Sequence, residues 1–125
     1  MRLETEIKLD YNDVLLRPKR STLSSRYDVN MKRTYKFLHS KKDWTGIPIM
    51  ASNMDTVGTP AMYKALVEYD MITCPARHHL KDPKDIMNFR GKNVCMFGGL
   101  EDVGILTLNQ VKFEMIGIDV ANGYT

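Results

Sequence analysis

The sequence predicts an α/β fold with a parallel sheet covered by helices. From Ile47 onward, four short apolar runs alternate with three segments of helical pattern. Continuous apolar strands joined by helices are typical of parallel sheets buried on both faces. This order fits either an open doubly wound sheet or the first half of a (β/α)8 barrel. No G-x-G-x-x-G follows the first strand, which weakens the dinucleotide-fold version. A whole barrel takes about 250 residues, whereas the chain has 125.

Composition and charge exclude several classes of protein. Hydrophobic content of 43% and charged content of 26% are ordinary for a globular chain. No apolar run is long enough to cross a bilayer and no signal-peptide pattern is present, so we expect a cytoplasmic protein without a membrane partner. Basic residues gather in the first 42 positions, but they lack interleaved aromatic residues and any nucleic-acid motif. A phosphate-bearing small molecule fits this basic segment equally well.

The chain is expected to divide into an N-terminal arm with short strands, residues 1–46, and an incomplete barrel, residues 47–125. Alternation before Arg17-Pro18 predicts one or two short strands within residues 1–20, with Val14, Leu15 and Leu16 as their apolar anchor. A further short strand is predicted around Tyr35–Leu38.

Within the second part, helix-start signals separate the apolar runs. Thr59-Pro60 and Asp82-Pro83 each combine an N-cap residue with proline at the first helical position. A third helix is expected over about 100–109. The strands are predicted near residues 47–52, 71–76, 94–97 and 113–120.

Polar residues at the end of the first apolar run are candidates for ligand contact. Ser52, Asn53 and Asp55 stand just after a strand, where α/β folds place their chemistry. The alternative is that Asn53 and Asp55 only shape the turn and cap the next helix. Cys74 and Cys95 lie inside apolar runs without a CxxC neighbour or a histidine at ligand spacing, so they are predicted to be core residues and no metal site is expected.

Three blocks carry a resemblance to a known family. They are Leu9-Asp-Tyr-Asn-Asp-Val-Leu-Leu-Arg-Pro-Lys-Arg-Ser-Thr-Leu-Ser-Ser-Arg26, Ile47-Pro-Ile-Met-Ala-Ser-Asn-Met-Asp-Thr-Val-Gly-Thr59 and Gly117-Ile-Asp-Val-Ala-Asn-Gly-Tyr-Thr125. In this order they resemble the N-terminal portion of the IMP dehydrogenase/GMP reductase family. The Arg17-Pro-Lys-Arg20 run and the ending of the third block favour its GMP reductase branch.

The resemblance implies a (β/α)8 barrel that carries out NADPH-dependent reductive deamination of GMP to IMP and ammonia, a step of purine nucleotide interconversion. In the family a cysteine attacks purine C2, and hydride from the nicotinamide resolves the adduct. A thiolate suits the first step because it is a strong nucleophile and a good leaving group. The family's nucleophile lies beyond residue 125, so no catalytic residue is assigned and the chain is expected to be inactive alone.

The resemblance also implies contacts for cofactor and substrate. The residues matching NADPH contacts are Ser25, Arg26, Arg77, Asp119, Val120 and Ala121. The residues near the expected nucleotide, GMP or IMP, are Ser52, Asn53 and Met54. Asp119 is expected in an apolar setting, where an unpaired buried carboxylate would cost several kcal/mol.

The chain departs from the family pattern at two strand ends. Arg77 stands in place of a lysine, so its charge is kept while its reach and fork geometry differ. The turn Phe97-Gly98-Gly99 replaces a hydroxyl-rich turn. Two further interpretations remain open for a half-barrel with exposed strand edges. It pairs with a complementing C-terminal half or with itself, or it is a non-catalytic interaction or oligomerisation module.

Overall fold

The computed structural model describes residues 5–102, 104 and 113–123. The chain divides into two compact units, Met1–Asn30 and Met31–Thr125. The boundary therefore falls before the hairpin described below, which is part of the second unit.

The first unit contains two short 3-10 turns, Tyr11–Asp13 and Arg26–Asp28. Each turn is closed by a capping box. The side chain of the residue before the turn accepts a hydrogen bond from a backbone N–H of the turn, and the aspartate at the end of the turn accepts one from the backbone N–H of that preceding residue. The described residues 5–20 contain no strand, so the strand prediction is wrong there. The predicted anchor is also wrong, since Leu15 and Leu16 are 97% and 99% exposed. The turn at Tyr11–Asp13 is closed by its own cap, and none of the described strands pairs with this segment.

The second unit begins with an antiparallel hairpin, β1 (Arg33–Lys36) and β2 (Asp43–Gly46). The predicted strand around residue 35 is confirmed, with its start two residues earlier. The Tyr35 and Trp44 rings stack across the hairpin with centroids 6.3 Å apart. Trp44 is buried, and its Nε1 donates to Asn93 Oδ1 at 3.1 Å. That hydrogen bond fastens the hairpin to the rest of the second unit.

Four short strands follow and run parallel to one another. They are β3 (Met50–Ala51), β4 (Ile72–Thr73), β5 (Cys95–Gly98) and β6 (Met115–Ile118). β3 pairs with β4, and β5 pairs with β6. A single parallel bridge, Thr73 to Val94, connects the two pairs. The spatial order is therefore the chain order, as predicted for consecutive βα units, and the described strands form no closed barrel.

Both predicted helix starts are confirmed. Helix α1 (Pro60–Val67) begins after Thr59, whose side chain accepts from Met62 N at 3.2 Å. Helix α2 (Pro83–Ile86) begins after Asp82, which accepts from Lys84 N at 2.8 Å. Of the third predicted helix, residues 100–102 form a 3-10 turn. The rest of it lies outside the described residues apart from Gly104.

Apolar side chains pack on both faces of this sheet because successive strand residues point to opposite sides. The helix-covered outer face holds Phe89, Val94 and Met96, with Tyr63 and Phe113 against them. The inner face holds Trp44, Ile72, Cys74 and Cys95, with Phe97 and Met115 against them. Both cysteines are buried in this inner cluster, which confirms the prediction that they are core residues.

Candidate functional site

Polar side chains gather where β3, β4, β5 and β6 end, here called the carboxyl edge. In parallel strands these ends lie on one side of the sheet, which is where open and closed α/β folds bind ligands. The residues that make side-chain contacts there are Asn53, Asp55, Arg77, His78, Glu101, Asp102 and Asp119.

Asn53 and Asp119 are joined by a hydrogen bond across the carboxyl edge. Asn53 Nδ2 donates to Asp119 Oδ2 at 3.0 Å, although Asn53 follows β3 and Asp119 follows β6. The Asp119 backbone N–H donates to Gly98 O at 3.0 Å. This hydrogen bond holds the backbone of Asp119 directly after the last residue pair of the β5–β6 ladder. The first and fourth strands of the sheet thus share a polar contact at their ends.

The setting of Asp119 corrects the sequence-based expectation. Asp119 is exposed instead of buried in apolar surroundings, and its carboxylate has the Asn53 amide as a partner. The inner face below it is apolar, but the carboxylate lies past the strand end and meets solvent. Asp119 is therefore distinguished by its contact with Asn53 and not by a cost of burial.

Arg77 is held by two carboxylates that the sequence analysis missed. Arg77 Nη2 lies 2.7 Å from Glu101 Oε1 and 2.8 Å from Asp102 Oδ2. The hydrogen bond with Arg77 lowers the pKa of Glu101, and the same bond, with the Asp102 charge, raises the pKa of Arg77. The signal in the sequence was the acidic pair directly after the predicted third-helix start, but its partner lies 24 residues away.

Gly99 makes room for this ion pair. A Cβ placed on Gly99 would lie 3.3 Å from Glu101 Oε1 and 3.4 Å from Arg77 Nη2. The Gly99 N–H donates to Asp102 Oδ2 at 2.9 Å. The turn that lacks hydroxyl side chains therefore uses its backbone to orient a carboxylate, which in turn holds Arg77.

Two histidines follow Arg77, and each faces an aspartate. His78 Nδ1 lies 3.2 Å from Asp55 Oδ1, and His79 Nδ1 lies 3.4 Å from Asp85 Oδ2. The alternative that Asn53 and Asp55 cap the next helix is wrong, because Thr59 caps α1. Asp55 does stand in the turn after β3, with its side chain directed to His78.

The remaining predicted site residues are not gathered into one cluster. Ser52, Met54, Val120 and Ala121 are exposed at the ends of β3 and β6. Ser25 caps the turn at Arg26–Asp28, where its Oγ accepts from Tyr27 N at 3.2 Å. Ser25 and Arg26 belong to the first compact unit, so the structure does not relate them to the carboxyl edge.

A metal site is not found among the residues that the structure describes. That part of the chain has no group of three or more His, Cys, Asp or Glu side chains able to hold a metal ion. None of its helices is long and apolar enough to span a membrane. A cavity of about 550 Å³ exists on the inner face, but no predicted site residue lines it.

No family model matches the chain. A protein named GMP reductase from Phytophthora infestans is 42% identical over 135 residues, covering 99% of this chain and 37% of that relative. GMP reductases of Vibrio campbellii and an Escherichia coli strain are 41% and 42% identical, covering all of this chain and 39% of each relative.

The chain thus belongs to the class of α/β proteins, and a group of polar side chains lies at the carboxyl ends of its parallel strands. Over 99% or more of its length, the chain is similar to proteins named GMP reductase. It spans less than two fifths of the length of these relatives.

Proposed function

We propose that this chain is the cofactor-binding part of a GMP reductase with a (β/α)8 barrel. The reaction is NADPH-dependent reductive deamination of GMP to IMP and ammonia. The observation that carries the proposal is the Asn53–Asp119 hydrogen bond at the carboxyl edge, in a chain homologous to GMP reductases. Asp119 is also the residue that the family resemblance matches to the nicotinamide end of NADPH.

Asp119 suits a carboxamide because a carboxylate accepts hydrogen bonds on both of its oxygens. Oδ2 accepts from Asn53, which orients the group and leaves Oδ1 to accept from the nicotinamide NH2. The Asp119 carboxylate is exposed, so a ligand reaches it without displacing a packed side chain. Val120 and Ala121 follow directly and are proposed to line the same end of the cofactor.

Arg77 is proposed to contact the cofactor phosphates, since a guanidinium matches phosphate oxygens with paired donors. Its Nη2 makes both ion pairs, with Glu101 and Asp102. The phosphate therefore competes with these carboxylates or binds through the Nη1 and Nε donors. Ser25 and Arg26 are proposed as further NADPH contacts from the first unit.

The substrate, GMP or IMP, is proposed to lie next to Ser52, Asn53 and Met54 at the end of β3. NADPH supplies the hydride when it is bound, and the part of the protein here is to hold its nicotinamide beside the purine. In this arrangement Asn53 faces both ligands, because its amide contacts Asp119, the residue proposed to bind the nicotinamide. The hydrogen bond sets the spacing of the two ligand-contact segments.

Neither cysteine of this chain is proposed as the nucleophile. Cys74 and Cys95 are 3% and 7% exposed and pack in the inner core cluster, away from the polar residues of the carboxyl edge. The proposal places the nucleophile in the part of the relatives that this chain does not span. Activity then requires complementation by those remaining barrel strands, and the chain alone is proposed to be inactive.

A second candidate is an interaction or oligomerisation module. The observation that favours it is the apolar exposure of the first unit, where Leu15 and Leu16 are almost fully exposed. Such side chains are typical of surfaces that pack against another chain. This candidate predicts a stable self-associated species without NADPH affinity.

Isothermal titration calorimetry with NADPH tests the first candidate on the chain as it exists. We expect binding that weakens about tenfold or more in Asp119→Asn, because one charge-assisted hydrogen bond is lost. Asp43→Asn, at an exposed position of β2, is the matched control and should bind as the wild type does. Absence of heat with the wild type, together with a defined oligomer by light scattering, would favour the second candidate.

Complementation tests the reaction itself. The chain is mixed with the part of one of the GMP reductase relatives that it does not span, and GMP-dependent loss of NADPH absorbance is followed. We expect turnover in the mixture and none with either part alone. Turnover by this chain alone would contradict the assignment of the nucleophile to another segment.

A further inference from the structure

Cys74 and Cys95 lie side by side on adjacent strands. The bridge between Thr73 and Val94 sets the register of β4 against β5. Cys74 directly follows Thr73, and Cys95 directly follows Val94. Both side chains belong to the inner core cluster, so they point to the same face of the sheet. They are the only cysteines of the chain, and both are free thiols.

The register places the two residues within the reach of a disulfide. Neighbouring strands lie about 4.7–4.9 Å apart, and disulfides join Cα atoms that are about 4.4–6.8 Å apart. A bond between these sulfurs therefore needs only a local adjustment of the two strands.

The two thiols are not equivalent. Contact between the two thiols lowers the pKa of Cys95, whereas the same contact and burial raise the pKa of Cys74. Cys95 also lines the inner-face cavity of about 550 Å³, with Trp44, Ile72 and Met115 beside it. Cys74 is absent from that lining, so a small oxidant in the cavity meets Cys95 first.

We propose that Cys95 and Cys74 are a redox-active pair, in which a hydroperoxide oxidises Cys95 and Cys74 then closes an intrachain disulfide. The Cys95 thiolate attacks the terminal peroxide oxygen, the O–O bond breaks, and water or an alcohol leaves with the proton released from Cys95. The Cys74 sulfur then attacks the Cys95 sulfenic acid, the S–O bond breaks, and water leaves with the Cys74 proton. The two thiols lose two electrons and the hydroperoxide gains them.

The position of the pair gives this modification a structural effect. Within the sheet, the β3–β4 pair and the β5–β6 pair are joined by a single bridge. A Cys74–Cys95 disulfide crosses the same boundary next to that bridge. Oxidation therefore ties the two pairs covalently, and reduction leaves them joined only by non-covalent contacts.

The test treats the reduced, folded chain with one equivalent of hydrogen peroxide and reads the product by peptide mapping under non-reducing conditions. We expect a Cys74–Cys95 linked peptide, a loss of two hydrogens in mass, and full recovery of both thiols with dithiothreitol. The oxidised chain should have a Tm about 5 °C or more above the reduced chain, because a cross-link restricts the unfolded state. Two surviving free thiols, or linkage only between chains, would overturn the proposal.

Single variants assign the order of the two cysteines. In Cys74→Ser we expect a sulfenic acid on Cys95 that dimedone traps. In Cys95→Ser we expect Cys74 to react roughly tenfold or more slowly. The variants Cys74→Ala and Cys95→Ala repeat the comparison if a buried serine prevents folding. Equal trapping of the two cysteines, or reaction only after the chain is unfolded in urea, would show core thiols without this chemistry.

Discussion

Gly117 of β6 lies opposite Phe97 of β5, and the Phe97 ring occupies the space that a side chain at position 117 would need. A Cβ on Gly117 would clash with Phe97 Cε1. The Phe97 ring packs against the inner core cluster. The glycine is therefore part of the packing of that core, because its missing side chain admits the aromatic ring.

Gly117→Ala is expected to destabilise the second unit by about 1–3 kcal/mol, since overpacking forces the ring or the strand to shift. Urea unfolding followed by circular dichroism measures the free energy of unfolding. Gly123→Ala is the matched control, because a Cβ there has open space within 4 Å. A loss equal to that of the control would show that Phe97 moves aside without cost.

Asn93→Ala is expected to cost about 1–3 kcal/mol, because it removes the acceptor of the buried Trp44 indole N–H. Asn93 is 1% exposed, so water does not replace the lost partner. Chemical unfolding of Asn93→Ala, Trp44→Phe and the double variant gives the coupling energy of the pair. Asn88→Ala, at an exposed position, is the control. Additive losses in the cycle would mean that the hydrogen bond does not fasten the hairpin.

Thr59→Ala is expected to lower the free energy of unfolding by about 0.5–2 kcal/mol, since the cap of α1 accepts the Met62 N–H. Thr59→Ser keeps the hydroxyl and should recover most of the loss. Thermal unfolding by calorimetry compares the two variants. Equal destabilisation by alanine and serine would assign the loss to the threonine methyl group instead of the cap.

Asp70→Asn is expected to reduce the acid sensitivity of the fold. A side-chain hydrogen bond with Lys32, strengthened by the charges of Lys32 and Lys92, holds the pKa of Asp70 below its usual 3.8. A lowered folded-state pKa contributes stability above the unfolded value, and this contribution is lost as pH falls through the folded value. The wild type should therefore lose its advantage over the variant below about pH 4.

Asparagine is the suitable replacement because Asp70 has a φ of 53°, which asparagine tolerates. Urea midpoints across an acid pH series measure the difference, and Asp43→Asn controls for the loss of one charge. A constant difference between wild type and Asp70→Asn at every pH would contradict the linkage.

Glu101→Gln tests the competition for Arg77 that the proposed function implies. Without the Glu101 charge, Asp102 is the one ionic partner that the guanidinium keeps among the described residues. We expect NADPH to bind about threefold to tenfold more tightly, with the gain shrinking at high salt. Glu114→Gln, at an exposed position before β6, is the control. Weaker binding in Glu101→Gln would mean that the ion pair positions Arg77 for the phosphate.

Local chemistry made the helix starts predictable. Thr59-Pro60 and Asp82-Pro83 each place a cap acceptor next to a residue that fixes φ, so the sequence signal and the structure coincide. The parallel order of β3 to β6 was also predictable, because apolar runs and helical segments alternate along the chain.

Contacts between distant residues were not predictable from the sequence. Val14, Leu15 and Leu16 look like a core strand, but no partner strand meets them in the described part of the first unit. The ion pairs of Arg77 depend on the turn after β5 folding back toward the turn after β4. The exposure of Asp119 depends on where β6 ends relative to its apolar inner face. Each outcome depends on tertiary placement, which short-range patterns do not encode.

Trp44 is the single tryptophan of the chain, and its burial against Asn93 makes it a built-in optical reporter. Because thiols quench indole emission and Trp44 shares its cluster with Cys74 and Cys95, the fluorescence yield should change when that pair changes oxidation state. Detachment of the hairpin would shift the emission to longer wavelength. One unlabelled signal therefore follows both the seating of the hairpin and the chemistry of the sulfurs beside it.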